Sequence, residues 1–179
     1  MLKKDNRSKL LQVFFDDPVQ EGIGFQLREL SRKIKLAPLS VKKYLKELEK
    51  EKLILIKKHR IHNYPLYFAN RDNPYFKLLK KINTILLIKE TGLLDYLKDN
   101  CMPEVIILFG SASKGEDIKG SDLDIFIQCN KIKLDLSLLE KKIGRTVNIF
   151  FEKNFSKLSK ELKSNIINGV IIDGYLEIL

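Results

Sequence analysis

Asp122 and Asp124 are separated by one residue and follow Phe109 and a segment of small and polar residues, 110–116. In a β-strand, side chains at positions i and i+2 lie on the same face, so these two carboxylates are expected to be neighbours while Leu123 points to the core. Mg²⁺ prefers hard oxygen ligands and usually combines one or two protein carboxylates with the phosphate oxygens of a substrate. The spacing therefore predicts a magnesium site that receives a nucleotide.

Gly110 and Ser111 come directly after the apolar segment 104–109, which reads as a strand. We expect a tight turn or a short helix to begin there, where backbone N–H groups can face a phosphate. An alternative without chemistry is a hairpin with a polar turn and two solvated aspartates.

The order Gly110-Ser111, ten residues, then Asp122-x-Asp124 resembles the signature of the DNA polymerase β-type nucleotidyltransferase superfamily, and most closely its minimal, stand-alone branch. The resemblance implies that Gly110 and Ser111 hold the triphosphate and that Lys114 lies near it. It also implies that Asp122 and Asp124 ligate Mg²⁺. The expected activity is transfer of a nucleoside monophosphate from a nucleoside triphosphate to a hydroxyl group.

The superfamily carries a third carboxylate on a neighbouring strand, and the corresponding residue here is Asn148 in the segment 146–152. An amide oxygen can ligate a metal, but it brings no charge and cannot act as a base. Glu152 is too far along the strand to replace it, at more than 10 Å by strand rise. Two hypotheses stay open: a working transferase, or a regulator whose impaired domain only binds a nucleotide or supports dimerisation.

The elements around these residues alternate between strand and helix. Pro74 is expected to open a long helix to about residue 90, and a shorter helix covers 93–98. Beyond the Asp-x-Asp strand we expect a helix over 134–143, a strand over 146–152, a helix over 155–167 and a closing segment over 168–179. The pattern predicts a small α/β domain with a mixed sheet.

The composition, 44% hydrophobic and 31% charged residues, is typical of a soluble globular protein. No apolar run of about 18 residues could cross a membrane, and the first residues lack the apolar stretch of a signal peptide. A cytoplasmic location is therefore expected. Cys101 and Cys129 have neither a metal-binding spacing nor a disulfide pattern, so we expect buried thiols.

The net charge is +10, and residues 1–70 carry eight of these ten charges, with 16 Lys and Arg against 8 Asp and Glu. Such asymmetry favours a polyanionic partner, with nucleic acid the first candidate. Abundant lysine can also serve solubility alone.

The front of the chain predicts three helices and a two-stranded hairpin. Helical spacing covers 8–15 and then 25–34, after a link that includes Gly22 and Gly24. Ser40 is expected to cap a third helix with Val41, Tyr44, Leu45 and Leu48 buried. Strands at 53–56 and 63–68 flank a basic corner at 57–60.

This layout resembles the winged helix-turn-helix regulators of archaea and bacteria. In that family the third helix enters the major groove and the wing contacts an adjacent backbone or minor groove. The resemblance implies DNA contacts from Ser40, Lys42, Lys43 and Lys46 on the helix, and from Lys57, Lys58 and Arg60 on the wing. Winged helices also serve as dimerisation or protein-docking modules, which is the alternative. His59 and His62 are expected to be ordinary wing residues rather than metal ligands.

The chain is therefore expected to be an α+β protein with an N-terminal winged helix-turn-helix domain at 1–72. Connecting helices cover 73–100, and a nucleotidyltransferase-like domain covers 101–179. The long helix between the domains predicts a homodimer, which would present two winged helices to a symmetric DNA site. The resemblance to minimal nucleotidyltransferases also implies a possible helical, toxin-type protein partner.

Overall fold

The computed structural model describes residues 5–18 and 24–177. Gly22, part of the expected link, and the last two residues of the expected closing segment, Ile178 and Leu179, lie outside the described residues. The chain divides into two compact units, Met1–Lys77 and Leu78–Leu179. Within the described ranges, no helix has the length and apolar character needed to cross a membrane.

The first unit contains three helices followed by an antiparallel pair of strands. Leu10, Phe14, Leu30 and Leu45 are completely buried in it. The edge of the Phe14 ring packs on Phe25, with 5.5 Å between the ring centroids. The elements are α1 Asn6–Asp16, α2 Leu27–Ile34, α3 Pro38–Lys50, β1 Ile54–Lys58 and β2 Pro65–Ala69.

Phe25 was expected to open the second helix, and that prediction is wrong. Phe25 instead forms an isolated antiparallel bridge with Tyr67, in which the two residues exchange backbone hydrogen bonds of 2.9 and 3.0 Å. This pairing needs an extended backbone, so α2 begins only at Leu27. The ring of Phe25 is still buried, which is why its place in the apolar pattern did not reveal its conformation.

Ser40 was expected to cap the third helix, and that prediction is also wrong. Pro38 is the first residue of α3, with Ala37 before it, so Ser40 lies inside the first turn. Proline suits this position because its fixed φ is helical and its missing N–H would have no partner there. Val41, Leu45 and Leu48 are buried as expected, while Tyr44 is half-buried.

Lys57 and Lys58 were expected in a corner, but both belong to β1, opposite Leu66 and Pro65 of β2. The turn begins at His59, whose N–H donates to the carbonyl of Tyr64 at 2.8 Å. The strand is longer than predicted because a solvent-facing edge tolerates lysine.

The second unit is built around a four-stranded mixed sheet in the order β5-β4-β3-β6. Strand β3 is antiparallel to β4 and β6, and β5 is parallel to β4. The mixed α+β architecture expected from the sequence is confirmed. The elements are α4 Pro74–Glu90, which begins before the division at Lys77, α5 Leu93–Cys101, β3 Val105–Phe109, α6 Gly110–Lys114, β4 Leu123–Ile127, α7 Ser137–Ile143, β5 Val147–Phe151, a 3-10 turn Phe155–Lys157, α8 Lys160–Ile167 and β6 Val170–Gly174.

Each face of the sheet has its own apolar cluster. Leu123, Ile125 and Ile127 of β4 pack with residues of α5 and α7 on one face. Phe126, which has the opposite parity, packs with Phe155 and with a residue of α8 on the other. Asp124 shares the parity of Phe126, so the strict alternation of β4 directs its carboxylate to this second face.

Two helix predictions in this unit need correction. The segment 155–167 is not one helix, because the 3-10 turn ends near Leu158 and Ser159 then caps α8 by accepting the N–H of Leu162 at 3.3 Å. Helix α7 begins at Ser137 rather than at 134, because Asp135 accepts both the N–H and the hydroxyl of Ser137. The long helix from Pro74 to Glu90 is confirmed.

Candidate active site

Asp122 and Asp124 converge on one side chain of the neighbouring strand. Asp124 is the second residue of β4, and Asp122 immediately precedes the strand. The amide nitrogen Nδ2 of Asn148 donates to Asp122 Oδ2 at 3.1 Å and to Asp124 Oδ1 at 3.2 Å. Leu123, between the two aspartates, is completely buried. The two carboxylates are therefore neighbours at the surface end of β4, as the spacing predicts.

Asn148 occupies this position because β5 runs parallel to β4 with Asp124 opposite Asn148. Asn148 is half-buried, and its amide nitrogen lies between two carboxylates. Glu152 follows the last residue of β5, and its Oε1 accepts the N–H of Asn154 at 2.9 Å. Glu152 therefore lies towards the opposite end of the strand and contributes nothing at the aspartates.

Gly110 lies against Asp124, and this contact requires glycine. Its φ is +69°, in the left-handed region, and a Cβ built at this position would lie 2.5 Å from Asp124 Oδ2. The chain bends here because Phe109, the last residue of β3, pairs with Asp124, and α6 begins directly afterwards. The glycine thus lets the backbone pass immediately beside a carboxylate.

Ser111 and Lys114, the other two residues that the resemblance connects with phosphate, are both exposed on α6. The helix is held by the Ser113 hydroxyl, which donates to the Gly110 carbonyl at 2.7 Å. Gly115 ends the helix in the left-handed conformation. The structure thus brings Gly110, Asp124 and Asn148 together and leaves Ser111 and Lys114 on the helix that starts at this bend.

One residue at this site was missed by the sequence analysis. Arg145 donates through Nε to the carbonyl of Ser121 at 2.7 Å and through Nη2 to the carbonyl of Asp122 at 3.1 Å. These contacts join residues more than twenty positions apart through backbone oxygens, which no motif or periodicity encodes. The only signal in the sequence is that Arg145 is the sole arginine between residues 78 and 179.

The donor set fits one magnesium ion that shares its coordination with a substrate. Among the residues that the structure describes, no group of three or more His, Cys, Asp or Glu side chains could hold a metal. Asp122 and Asp124 supply two hard carboxylates, and the Asn148 side chain also carries an amide oxygen. Mg²⁺ is commonly bound by one or two carboxylates together with substrate phosphates, so these residues match its usual needs.

The expected DNA-contacting residues lie in the first unit and are all exposed. Ser40, Lys42, Lys43 and Lys46 are on α3, where together with Leu39 and Glu47 they line a surface cavity of about 650 Å³. Lys57 and Lys58 are on β1, and Arg60 is in the turn that follows.

The two histidines of this turn belong to a ring stack. The rings of His59 and Tyr64 have centroids 4.6 Å apart, and those of His59 and His62 are 5.1 Å apart. His59 Nδ1 accepts the N–H groups of Ile61 and His62, so it shapes the turn. Among the described residues these histidines belong to no group that could hold a metal.

Residues 91–176 match the family model described as "Polymerase beta, Nucleotidyltransferase". The matched segment contains the bend at Gly110, both aspartates and Asn148, and it covers just under half of the chain. The match supports the assignment of this part of the chain to the nucleotidyltransferase superfamily. It does not extend to the residues before 91. No curated protein and no solved structure matches the chain.

Proposed function

We propose that the second unit binds a nucleoside triphosphate with Mg²⁺ and transfers the nucleoside monophosphate to a hydroxyl group. The observation that carries this proposal is the convergence of Asp122 and Asp124 on Asn148, directly beside the bend at Gly110. The family match to residues 91–176 supports the same class of reaction. A solvated pair of aspartates on a hairpin would not need a glycine pressed against one carboxylate.

Asp122 and Asp124 would hold the metal, with Asn148 offering an amide oxygen once its side chain turns. Mg²⁺, when bound, neutralises charge on the phosphates and orients them for in-line attack. Ser111 and Lys114 would contact the phosphates by hydrogen bonding and by charge. Asn148 cannot accept a proton, so the chain contributes positioning and charge neutralisation rather than base catalysis at this position.

A second candidate function is nucleotide binding without turnover, in a regulator. Asn148 favours it, because an amide cannot accept the proton of the attacking hydroxyl as a carboxylate at this position could. Compared with the carboxylate expected at this position, the amide of Asn148 also offers the metal one negative charge fewer. Under this reading the domain would sense a nucleotide or only support dimerisation.

Labelled nucleotides distinguish the two candidates. The protein is incubated with Mg²⁺ and each of labelled ATP, GTP, CTP and UTP, and pyrophosphate release and label transfer are measured. Turnover that disappears in Asp122→Ala/Asp124→Ala supports the transferase. Nucleotide binding that needs both aspartates but gives no turnover supports the regulator, and activity gained by Asn148→Asp would identify the missing charge as the cause. If the protein neither binds nor turns over a nucleotide, both nucleotide-dependent roles are contradicted and only a role in dimerisation is left.

We further propose that the first unit binds DNA through α3 and the wing. Exposed lysines on one helix and along β1 form a basic surface that can neutralise phosphates. Lysine contacts phosphates well but distinguishes bases poorly, so we expect this surface to add affinity for DNA more than sequence specificity. Docking to a protein is the competing role, and it predicts no binding to DNA.

Salt dependence tests the DNA proposal. Lys46→Ala should weaken binding to a duplex and reduce the slope of log K against log salt by about 0.9, the value for one phosphate contact. Lys9→Ala, an equal charge change on an exposed residue of α1, is the matched control and should keep the slope. Equal slopes for the two variants would contradict a contact through α3.

We also propose a homodimer and a cytoplasmic location. Helix α4 carries exposed apolar side chains at Leu78, Ile82 and Leu86, four residues apart and therefore on one face. We propose that these three side chains pack against the same helix of a second copy of the chain. A sedimentation mass of one chain at micromolar concentration would contradict the dimer. A stable complex with a helical partner protein would instead assign the exposed apolar face of α4 to that partner.

A further inference from the structure

Two buried charged side chains and one half-buried charged side chain meet beside the loop that leads to Asp122. Lys80 comes from α4, Asp117 from the loop between α6 and β4, and Arg145 from the residues before β5. Lys80 is only 3% exposed and Asp117 only 4%. Asp117 Oδ2 lies 2.9 Å from Arg145 Nη1 and 3.4 Å from Lys80 Nζ, and Lys80 Nζ also donates to the Asp117 carbonyl. Burying such charges is costly, and only close pairing makes it tolerable.

The guanidinium of Arg145 connects both ends of this loop. Nη1 holds the carboxylate of Asp117 near its start, while Nε and Nη2 hold the carbonyls of Ser121 and Asp122 at its end. The planar guanidinium makes these three contacts from three separate nitrogens, a spread that the single nitrogen of an ammonium does not have. Inside the loop, the N–H of Ser121 donates to the carbonyl of Ile118 at 3.0 Å.

We propose that Lys80, Asp117 and Arg145 are positioning residues for the metal site, and this proposal rests on the proposed function of Asp122 and Asp124. The backbone of Asp122 is held by Arg145, whereas its exposed carboxylate is held only through Asn148 in the contacts described above. Mg²⁺ demands near-ideal octahedral geometry at short distances, so a loose Asp122 backbone weakens the site. The cluster fixes that backbone before any metal arrives.

Two other roles for these residues fit the structure less well. Each of the three guanidinium nitrogens of Arg145 already donates within the chain, which disfavours a phosphate ligand. Asp117 is buried and paired with two cations, which disfavours a third metal carboxylate. Lys80 lies outside the segment 91–176 that matches the nucleotidyltransferase family, so the match does not assign it a role.

The test compares Mn²⁺ affinities, measured from the electron paramagnetic resonance signal of free Mn²⁺ well below each variant's Tm. Arg145→Lys keeps the positive charge but loses the planar guanidinium, and Arg145→Met loses both the charge and the guanidinium. We expect both to bind Mn²⁺ about 10–100-fold more weakly, the usual effect of losing a residue that orients a metal ligand. Lys142→Met, an equal charge change on an exposed neighbour in α7, is the control and should bind as wild type.

The outcomes separate this proposal from the proposed function. If Asp122→Ala/Asp124→Ala binds Mn²⁺ like wild type, the metal site itself is wrong. If that double variant loses Mn²⁺ but Arg145→Lys binds normally, the positioning role is overturned and the metal site stands. Should both Arg145 variants fail to fold, Lys80→Met replaces them, because it leaves the Arg145–Asp117 pair in place. Weaker Mn²⁺ binding by Lys80→Met would support the proposal, and wild-type affinity would overturn it.

Discussion

Gly110→Ala offers the sharpest test of the site, because it adds one carbon directly against a proposed metal ligand. The new Cβ would lie 2.5 Å from Asp124 Oδ2, whereas an ordinary contact between carbon and oxygen is at least about 3.3 Å. The carboxylate must therefore move by about 0.8 Å, or the bend must open. Disturbing the position of a metal ligand typically costs about 10–100-fold in metal affinity. We expect Mn²⁺ affinity to fall by about 100-fold, or about 2.7 kcal/mol.

The same substitution also strains the backbone, and this effect has to be separated from the clash. A residue with a Cβ at the left-handed φ of +69° costs about 1–2 kcal/mol relative to glycine. Gly92→Ala is the matched control, because Gly92 has a φ of +83° but a Cβ there would meet nothing within 4 Å. Both variants should lose stability in urea unfolding through the strained backbone, Gly110→Ala at least as much as Gly92→Ala, while only Gly110→Ala should lose Mn²⁺ affinity. Equal Mn²⁺ affinities for the two variants would refute the reasoning that Asp124 is a ligand held beside the bend.

Two further predictions concern the core and the thiols of the second unit. Ile125→Ala should lower the free energy of unfolding by about 2–5 kcal/mol, because the side chain is completely buried, and urea unfolding measures this loss. Burial raises the pKa of Cys129 to about 11 from 9.0, so at pH 8 its thiolate fraction should be roughly 100-fold below that of an unperturbed thiol; since a more basic thiolate is also more nucleophilic, its alkylation by iodoacetamide should be slower by roughly 10-fold. Because the folded state holds this proton more tightly, stability should fall as the pH rises from 9 towards 11, and a flat profile would contradict the burial.

The strands of the second unit could be predicted because their side-chain pattern is dictated by burial. Asp122 and Asp124 alternate with Leu123 and Ile125, and only one register of β4 keeps the apolar residues in the core. Parity separated Asn148 from the apolar residues of its strand, but only the resemblance to the nucleotidyltransferase superfamily connected it with the aspartates, and the structure places its amide in contact with both. Because every second residue of such a strand must be buried, the sequence leaves little freedom in which side chains face the core.

Helix starts were less predictable, because several local signals compete there. Ser40 is a good capping residue, but Pro38 two positions earlier is a better first residue, so α3 starts before the serine. Phe25 fits an apolar helical pattern and also a strand, and its partner Tyr67 lies more than forty residues away. A signal that depends on a distant strand is not present in the local sequence.

The cluster of Lys80, Asp117 and Arg145 was not predictable for a related reason. Each residue is charged and sits in a stretch that reads as a solvated surface, so nothing in the local pattern indicates burial. The pairing arises only when α4, the loop before β4 and the start of β5 meet. Buried charge networks therefore need the fold before they can be recognised.

The contact between Asn148 and the two aspartates sets the balance between stability and metal binding at this site. Without a metal, the amide N–H groups of Asn148 offset the repulsion between the two carboxylates. Under the proposed function, a metal would have to displace this amide nitrogen, so the asparagine that stabilises the metal-free chain would also weaken its affinity for the ion. Asn148→Asp should reverse both effects: repulsion among three carboxylates lowers the Tm without metal, while saturating Mg²⁺ raises it by mass action. A Tm of Asn148→Asp that does not respond to Mg²⁺ would mean that these side chains meet for structural reasons alone.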